Sequence, residues 1–164
     1  MTGATPYALA AARSLGRRIV LVTASSARYE AAAIDLSLVD EVVQVVTDET
    51  HAGEIAELCR ERGVDAVLAL DDHNQRLAAI VREILNLPGA SSQAIARCQD
   101  KRQARLAVAG IGRDVRFVAI TSETKRSPLG YPVIVKPSTG SSSVGVYLCH
   151  DDEEFWTALA LIHR

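Results

Sequence analysis

Aromatic residues are scarce in this chain, and two patterns that direct proteins to membranes or out of the cell are missing. Phe, Trp and Tyr make up 4% of the 164 residues, while Ala, Val, Leu and Ile dominate, which is typical of helices packed on parallel strands. No apolar stretch approaches the roughly 20 residues that a membrane span requires. The amino terminus lacks the charged and then apolar pattern of a signal peptide. These absences predict a cytoplasmic protein with no membrane partner.

Cysteines and basic residues are too few or too dispersed for several functions. The three cysteines, Cys59, Cys98 and Cys149, are odd in number and widely spaced. This spacing disfavours a disulfide framework or a zinc knuckle and indicates free thiols. The net charge is −2 and no basic run occurs, so we expect no nucleic-acid partner. The length allows one substantial core or two small lobes.

The first ninety residues alternate between strand and helix patterns. Apolar runs of strand length lie between segments whose apolar residues recur at helical spacing. This alternation predicts a parallel, three-layer, Rossmann-like α/β domain over residues 1–90, with right-handed crossovers and helices on both faces of the sheet. The predicted strands are Arg18–Thr23, Val42–Val46 and Ala66–Leu70, and the predicted helices are Thr5 or Pro6 to Leu15, Ala52–Arg62 and Gln75–Asn86.

Polar loops follow two of these strands at their carboxyl ends, where ligands of parallel sheets collect. One loop is Ala24–Tyr29. The other contains Asp72, His73 and Asn74, which we interpret as candidate contacts to a substrate amine or a magnesium-bound group. The alternative is helix capping, in which Asp72 or Asn74 accepts backbone N–H bonds at the start of the next helix. A dinucleotide site is not indicated, because no Gly-x-Gly-x-x-Gly follows a strand.

From Ser91 onward the pattern changes, and we assign residues 91–164 to a second domain. Beyond about residue 112, the pattern predicts a small antiparallel sheet that carries one helix. The last helix is expected to begin at a capping Asp151 and to face inward with Phe155, Trp156, Leu159 and Ile162. The predicted helices are Ser92–Arg97, Asp100–Ala109 and Asp151–Arg164, with a strand at Val115–Thr121.

One stretch, residues 131–146, carries a more specific chemical signal. The β-branched run Val133–Val135 predicts a buried strand that delivers Lys136 to its end. A tip of small residues leaves backbone N–H groups unpaired beside a lysine, which suits a polyphosphate. The alternative from composition alone is an ordinary flexible hairpin. The tip consists of Gly140, Ser141, Ser142, Ser143 and Gly145, and the chain returns as a strand over Val144–Cys149.

The order of strand lysine, proline and Gly-Ser-Ser-Ser-x-Gly resembles the phosphate-covering loop of the ATP-grasp superfamily. Upstream, Cys98–Gly110 resembles the Asp-Lys segment that opens the ATP-grasp domain. The resemblance implies that Lys101 and Lys136 approach the nucleotide phosphates and that the small residues of the tip cover them. It also implies that residues 1–90 are a pre-ATP-grasp domain and that residues 91–164 are the first lobe of an incomplete ATP-grasp domain.

Members of this superfamily use ATP and Mg²⁺ to join a carboxylate to an amine through an acyl phosphate. The resemblance therefore implies ATP and a small carboxylate or amine as ligands, and it is strongest to amino-acid ligases. A biotin-carboxylase-like enzyme and a non-catalytic small-molecule or protein-interaction module, as in a homo-oligomer, are the alternatives. In the family, the adenine hinge, metal ligands and catalytic residues lie beyond the hairpin. We therefore expect none of them in this chain, which would be an inactive fragment or act with a partner.

Overall fold

A computed structural model describes residues 5–112 and 115–163 of the protein. The chain folds into two compact units, Met1–Ile95 and Ala96–Arg164, and each is described by itself below. Within the described residues, no helix combines the length and the apolar character that a membrane span requires.

The first unit consists of helices that alternate with two short strands. Polar side chains and residues of left-handed conformation mark the helix ends. The helix Gln75–Leu85, for example, is followed by Asn86, whose φ is 54°. The predicted helices are confirmed with small shifts of their ends. The elements are α1 (Thr5–Ser14), β1 (Val20–Thr23), α2 (Ala27–Ala31), β2 (Glu41–Gln44), α3 (Ala52–Glu61), α4 (Gln75–Leu85) and α5 (Ser92–Gln99), which continues into the second unit.

The two strands of the first unit pair in parallel, as the sequence predicts for its first two strands. Val20 lies opposite Glu41, and Thr23 lies opposite Gln44. At the first pair of this ladder, the guanidinium of Arg18 donates a hydrogen bond of 2.8 Å to the carboxylate of Glu41. The parallel α/β architecture that the sequence predicts is therefore confirmed.

The third predicted strand, Ala66–Leu70, is wrong, because this segment joins neither strand in a ladder. The side chain of Val67 packs against the core of the unit. Its carbonyl accepts a hydrogen bond of 2.9 Å from Nη1 of Arg82. A side chain thus satisfies a backbone group that a strand ladder would have used. The neighbouring Leu68 is 80% exposed, so the apolar run is not buried in a sheet.

The core of the first unit lies between α3 and α4. The apolar residues of both helices recur at helical spacing and form one stripe on each helix, so the two stripes bury each other. Partly buried valines of β1 and of the segments after β2 and α3 extend this core. Its buried members are Ala52, Ile55, Ala56, Cys59, Leu77 and Val81.

The second unit contains a two-stranded antiparallel sheet covered by one helix, as the sequence predicts. Its elements are α6 (Lys101–Ala107), β3 (Val133–Val135), β4 (Tyr147–Cys149) and α7 (Asp152–Ile162). Val133 pairs with Cys149, and Val135 pairs with Tyr147. The inward face of the hairpin and the helix share a core made of Val135, Cys149, Phe155, Ala158 and Leu159.

Helix α7 is correctly predicted at its start and partly wrong in its inward face. Asp151 caps the helix by accepting a hydrogen bond of 2.9 Å from the N–H of Glu154. Trp156 is 48% exposed rather than buried, because its indole Nε1 donates to the carbonyl of Lys125 at 3.0 Å and needs to reach that loop. Arg164, the last residue of the predicted helix, lies outside the described residues.

The strand predicted at Val115–Thr121 is also wrong. These residues belong to neither sheet. At its end the segment enters a turn, in which Thr124 N–H donates to the carbonyl of Thr121 at 3.0 Å and Thr124 Oγ1 accepts from Thr121 N–H at 3.0 Å. Phe117 is 42% exposed, and Ile120 is the residue of this segment that reaches the core. The apolar pattern therefore serves one core contact instead of a ladder.

Truncating Ile55 should destabilise the first unit. Ile55 is 4% exposed in the α3–α4 core, so replacement by alanine removes buried methylenes and leaves a cavity, at a cost of about 2–5 kcal/mol. The matched control is Ile84→Ala on α4, where the side chain is 41% exposed and the cost should stay below about 1 kcal/mol. Urea denaturation followed by circular dichroism measures both. Equal losses of unfolding free energy in the two variants would contradict the assignment of Ile55 to the core.

The turn before α3 should respond to pH through Asp48 and His51. Asp48 Oδ1 lies 2.7 Å from His51 Nδ1 and also accepts from Thr50 Oγ1 at 2.6 Å. Hydrogen bonds from Thr50 and then His51 lower the pKa of Asp48 to about 2, and the bond to Asp48 raises the pKa of His51 above its ordinary value.

The two shifts give stabilisation with opposite pH limits. Because the pKa of His51 is raised in the folded state, its stabilising contribution is complete at pH values below the ordinary His pKa and is lost as pH rises through the raised pKa. The stabilising contribution of Asp48 is lost as pH falls toward its lowered pKa of about 2. We expect Asp48→Asn to return the His51 pKa toward its ordinary value in an NMR titration of the ring proton. An unchanged midpoint would contradict the pairing.

Candidate functional site

The hairpin of the second unit presents Lys136 at the end of β3. Val133 and Val135 point toward α7, while Ile134 between them is 54% exposed. Since side chains alternate along a strand, Lys136 lies on the same face as Ile134, and it is exposed. Its ammonium makes no hydrogen bond to any of the described residues. The strand therefore holds an unpaired positive charge at the exposed face of the sheet.

The chain between the strands, residues 136–146, forms a hairpin loop of unusual backbone conformation. Val144 N–H donates to the carbonyl of Ser141 at 3.2 Å, which closes a turn. Inside that turn, Ser142 and Ser143 have φ values of 57° and 60°. Two successive residues with positive φ are the signature of a type I′ turn. Side chains rarely adopt this region, and such residues cluster at ligand clamps and switches.

Gly145 closes the hairpin loop against its own start. Its φ is +71°, and a Cβ built there would lie 3.0 Å from Cγ of Pro137 and 3.8 Å from Cγ1 of Ile162. Gly140 differs, because its φ is +105° but nothing lies within 4 Å of a Cβ there. The second glycine of the motif is thus required for packing as well as for its φ, and the first leaves open space beside the loop.

Lys101 connects the start of α6 to this hairpin loop. Its backbone N–H donates to the carbonyl of Ser138 at 2.7 Å, and its Nζ donates to the carbonyl of Gly140 at 2.9 Å. Asp100 caps the same helix, accepting from the N–H groups of Arg102 at 2.8 Å and Gln103 at 2.9 Å. The structure therefore brings together the two segments on which the sequence resemblance depends.

Neither lysine pairs with a carboxylate of the residues that the structure describes. The ion pairs among the described residues are made by arginines and by His51, and none includes Lys101 or Lys136. The partners of Lys101 are neutral carbonyls, which leave its charge in place. The hairpin loop thus lies beside two uncompensated cations, an arrangement that attracts an anion.

The loop after residue 70 is organised by Asp71. Its Oδ1 accepts from the backbone N–H of Asn74 at 2.9 Å, and both carboxylate oxygens accept from Asn74 Nδ2 at 3.1 Å. Asn74 occupies the N-cap position of α4 but makes no capping bond with its side chain. The capping alternative is therefore wrong for Asn74, because its amide donates to Asp71 instead of accepting from the helix. Asp72 and His73 are exposed.

A cavity of ≈ 720 Å³ opens in the first unit between α1, β1 and the segment that follows α3. Residues of both predicted polar loops reach it. The predicted loop Ala24–Tyr29 runs into α2, which supplies Tyr29, and the second loop supplies Asp71 and Asn74. The rest of the lining is mixed, with apolar residues such as Leu9 and Leu21 beside the charged residues Arg17, Arg18, Arg62 and Asp65. Of the three substrate candidates, Asn74 borders this cavity, whereas Asp72 and His73 are not among its lining residues.

Sequence reasoning missed three contacts of this site. The carbonyls of Ser138 and Gly140 receive Lys101, Asp71 rather than Asp72 organises the polar loop, and Pro137 packs on Gly145. The proline and the second glycine were visible in the motif, but a backbone carbonyl carries no residue-specific signal. No group of three or more His, Cys, Asp or Glu side chains in the described ranges is arranged to hold a metal ion.

Comparison with known proteins finds a family match in the first unit and several similar proteins. Residues 9–89 match the ATP-grasp N-terminal domain. A D-alanine--D-alanine ligase of Thermotoga maritima is 56% identical over 43 residues, which cover 26% of this chain and 14% of the ligase. A biotin carboxylase of Halalkalibacterium halodurans is 34% identical over 117 residues, which cover 65% of this chain and 26% of the carboxylase.

The fold is similar to that of a solved L-amino acid ligase from Bacillus licheniformis. The TM-score is 0.73 at 23% identity, over 94% of this chain and 38% of the ligase. The chain spans well under half the length of each of these relatives. Residues 9–89 thus match an ATP-grasp N-terminal domain, and the similar proteins support a relation of the chain to the amino-terminal portion of ATP-grasp ligases.

Replacing Gly145 by alanine should destabilise the hairpin more than the same change at Gly140. Both positions carry the strain of a positive φ, about 1–2 kcal/mol for a residue with a Cβ, but only Gly145 adds a close contact with Pro137. Thermal unfolding of the two variants measures the difference. If Gly140→Ala lowered the midpoint as much as Gly145→Ala, the packing of Gly145 on Pro137 would be contradicted.

Proposed function

We propose that the hairpin loop and the start of α6 bind the phosphates of ATP for a ligase that joins a carboxylate to an amine. The observation that carries this proposal is the position of Lys101, whose ammonium lies 2.9 Å from the Gly140 carbonyl, at the loop that begins at Lys136. Two cations without carboxylate partners therefore belong to one loop of small residues. A nucleotide polyphosphate has the charge and the acceptor oxygens that this arrangement lacks.

Each part of the loop has a separate role in this proposal. Lys136 supplies a charge whose backbone position is set by β3 on one side and by Pro137 on the other, so its side chain starts from a defined point at the loop. The small residues Gly140 to Gly145 let phosphate oxygens approach the backbone N–H groups closely. The open space beside Gly140 is consistent with such an approach. Lys101 contributes the second charge.

The reaction class follows from the family and from the names of the relatives. Two of them act on amino acids by name, the D-alanine--D-alanine ligase and the L-amino acid ligase, and this favours an amino-acid ligase over a biotin-carboxylase-like enzyme. ATP supplies the phosphoryl group that activates the carboxylate as an acyl phosphate for attack by an amine. The residues described here bind and neutralise the phosphates and exclude water, which is mostly positioning and electrostatic stabilisation.

The hairpin loop, residues 136–146, contains no carboxylate that could bind the Mg²⁺ that accompanies ATP in this family. Hard divalent cations take carboxylate and carbonyl oxygens, and no cluster of three candidate side chains is present in the described ranges. We therefore assign no metal ligand. For the second substrate, the polar end of the cavity in the first unit, with Asp71 and Asn74, is the proposed contact. Asp72 and His73 lie on the same loop as further candidates.

Replacing Lys136 by methionine should weaken the binding of Mg-ATP about ten- to a hundredfold. The change keeps the length of the stem but removes one charge-assisted contact to phosphate, about 1.5–3 kcal/mol. Lys125→Met is the matched control, because Lys125 is also exposed in the second unit but lies outside the hairpin loop. Isothermal titration calorimetry measures each affinity.

Equal affinities of the Lys136→Met variant and the unmodified chain would refute the assignment of this loop to ATP. Weakening by Lys125→Met to the same extent would show that the effect of Lys136 is general charge rather than a contact. Absence of any heat with Mg-ATP would favour the non-catalytic alternative.

A further inference from the structure

Lys101 is hydrogen-bonded to the hairpin loop through both its backbone and its side chain. Its backbone N–H and its side-chain ammonium donate to two carbonyls of the loop, those of Ser138 at 2.7 Å and Gly140 at 2.9 Å. These carbonyls are two residues apart, so one lysine holds a short stretch of loop backbone at both ends. The loop backbone therefore has a specific partner within the protein.

The helix start that carries Lys101 is itself fixed. The Asp100 carboxylate accepts from two backbone N–H groups of the first turn of α6, and such a cap stabilises a helix end by about 1 kcal/mol. The cap leaves the N–H of Lys101 free to reach Ser138. The Asp-Lys pair thus combines one residue that fixes the helix and one that holds the loop.

The rest of the loop is closed by its own contacts. Ser141 and Val144 close the turn at 3.2 Å, and Gly145 packs on Pro137. Neither of these two contacts involves α6. The stretch Ser138–Gly140, which lies between Pro137 and Ser141, is the part of the loop that Lys101 contacts. The loop therefore depends on Lys101 for its attachment to α6.

We propose that Lys101 is a positioning residue that orders the hairpin loop before nucleotide binds. An ammonium group has three donors, so a bond to Gly140 leaves donors for a phosphate, and Lys101 can hold the loop and the ligand together. An ordered loop loses less conformational entropy on binding than a mobile one. This role deepens the proposed function and rests on it for its consequence, whereas the two hydrogen bonds that would order the loop join groups of the protein alone.

Amide hydrogen exchange of the complete chain, without ligand, tests the ordering directly. Lys101→Met removes the Gly140 bond and should speed exchange of the Val144 amide about tenfold or more, as expected for the loss of a hydrogen bond from a charged group. Exchange in β3, β4 and α7 should be unchanged, which separates loop positioning from general destabilisation. Arg102→Met is the control, because it removes a neighbouring exposed charge that makes no contact with the loop.

A second arm uses inorganic tripolyphosphate at concentrations that saturate each variant. Since the unmodified loop is already ordered, the ligand should slow its exchange only slightly, whereas it should slow exchange strongly in Lys101→Met. Val144 exchange within twofold of the unmodified chain, or equal acceleration across the second unit, would overturn the positioning role. Failure of tripolyphosphate to bind would count against the proposed function and leave the ligand-free result standing.

Discussion

The pairing of β3 with β4 is the constraint on which the candidate site depends. The ladder ends at the pair Val135 and Tyr147, so the residues between them must return without ladder partners. Val135 and Cys149 are anchored in the core beneath α7, which fixes both ends of the hairpin loop. A one-residue slip of this pairing would turn Ile134 and Lys136 toward the core. The burial of Val135, at 4% exposed, therefore sets the direction in which the lysine points.

A different constraint organises the first unit. Its two strands pair in parallel, and in such sheets the loops at the carboxyl ends meet at one edge. Tyr29 lies in α2, which follows β1, and Asp71 follows the extended segment 66–70, and both residues border the same cavity. The absence of a ladder at residues 66–70 does not remove this convergence, since Arg82 and the packing of Val67 hold the segment in place. Position at the end of an extended segment, rather than strand pairing, brings these polar residues to the cavity.

The sequence predicts most of this architecture because its signals are local. The β-branched run at Val133–Val135 and the helical stripe of α4 are confirmed, and Asp100 and Asp151 cap helices because a carboxylate suits a free N–H group. The two strands that fail, Ala66–Leu70 and Val115–Thr121, have apolar composition but lack a ladder partner in the described structure. Pairing depends on distant residues, and Arg82 is a partner that no local pattern reveals.

The sequence predicts the outline of the candidate site better than its conformational details. Glycines and serines indicate a turn, but they do not indicate that Ser142 and Ser143, rather than a glycine, adopt successive positive φ values. The carbonyls that receive Lys101 belong to Ser138 and Gly140, and any residue would supply the same carbonyl. Their selection follows from the loop path, which the β3–β4 register and the contact of Gly145 with Pro137 determine.

The two lysines therefore differ in what surrounds them, although both are cations beside one loop. Lys136 makes no bond to the described residues, so an arriving anion meets a charge whose solvation by water is its only competitor. Lys101 donates to a carbonyl of the loop, so part of its bonding capacity is used within the protein. A contact that replaces an existing protein bond adds less net free energy than one that replaces water alone. The electrostatic attraction is shared by both charges, but the larger gain from new bonds belongs to Lys136, while Lys101 determines how the loop is presented.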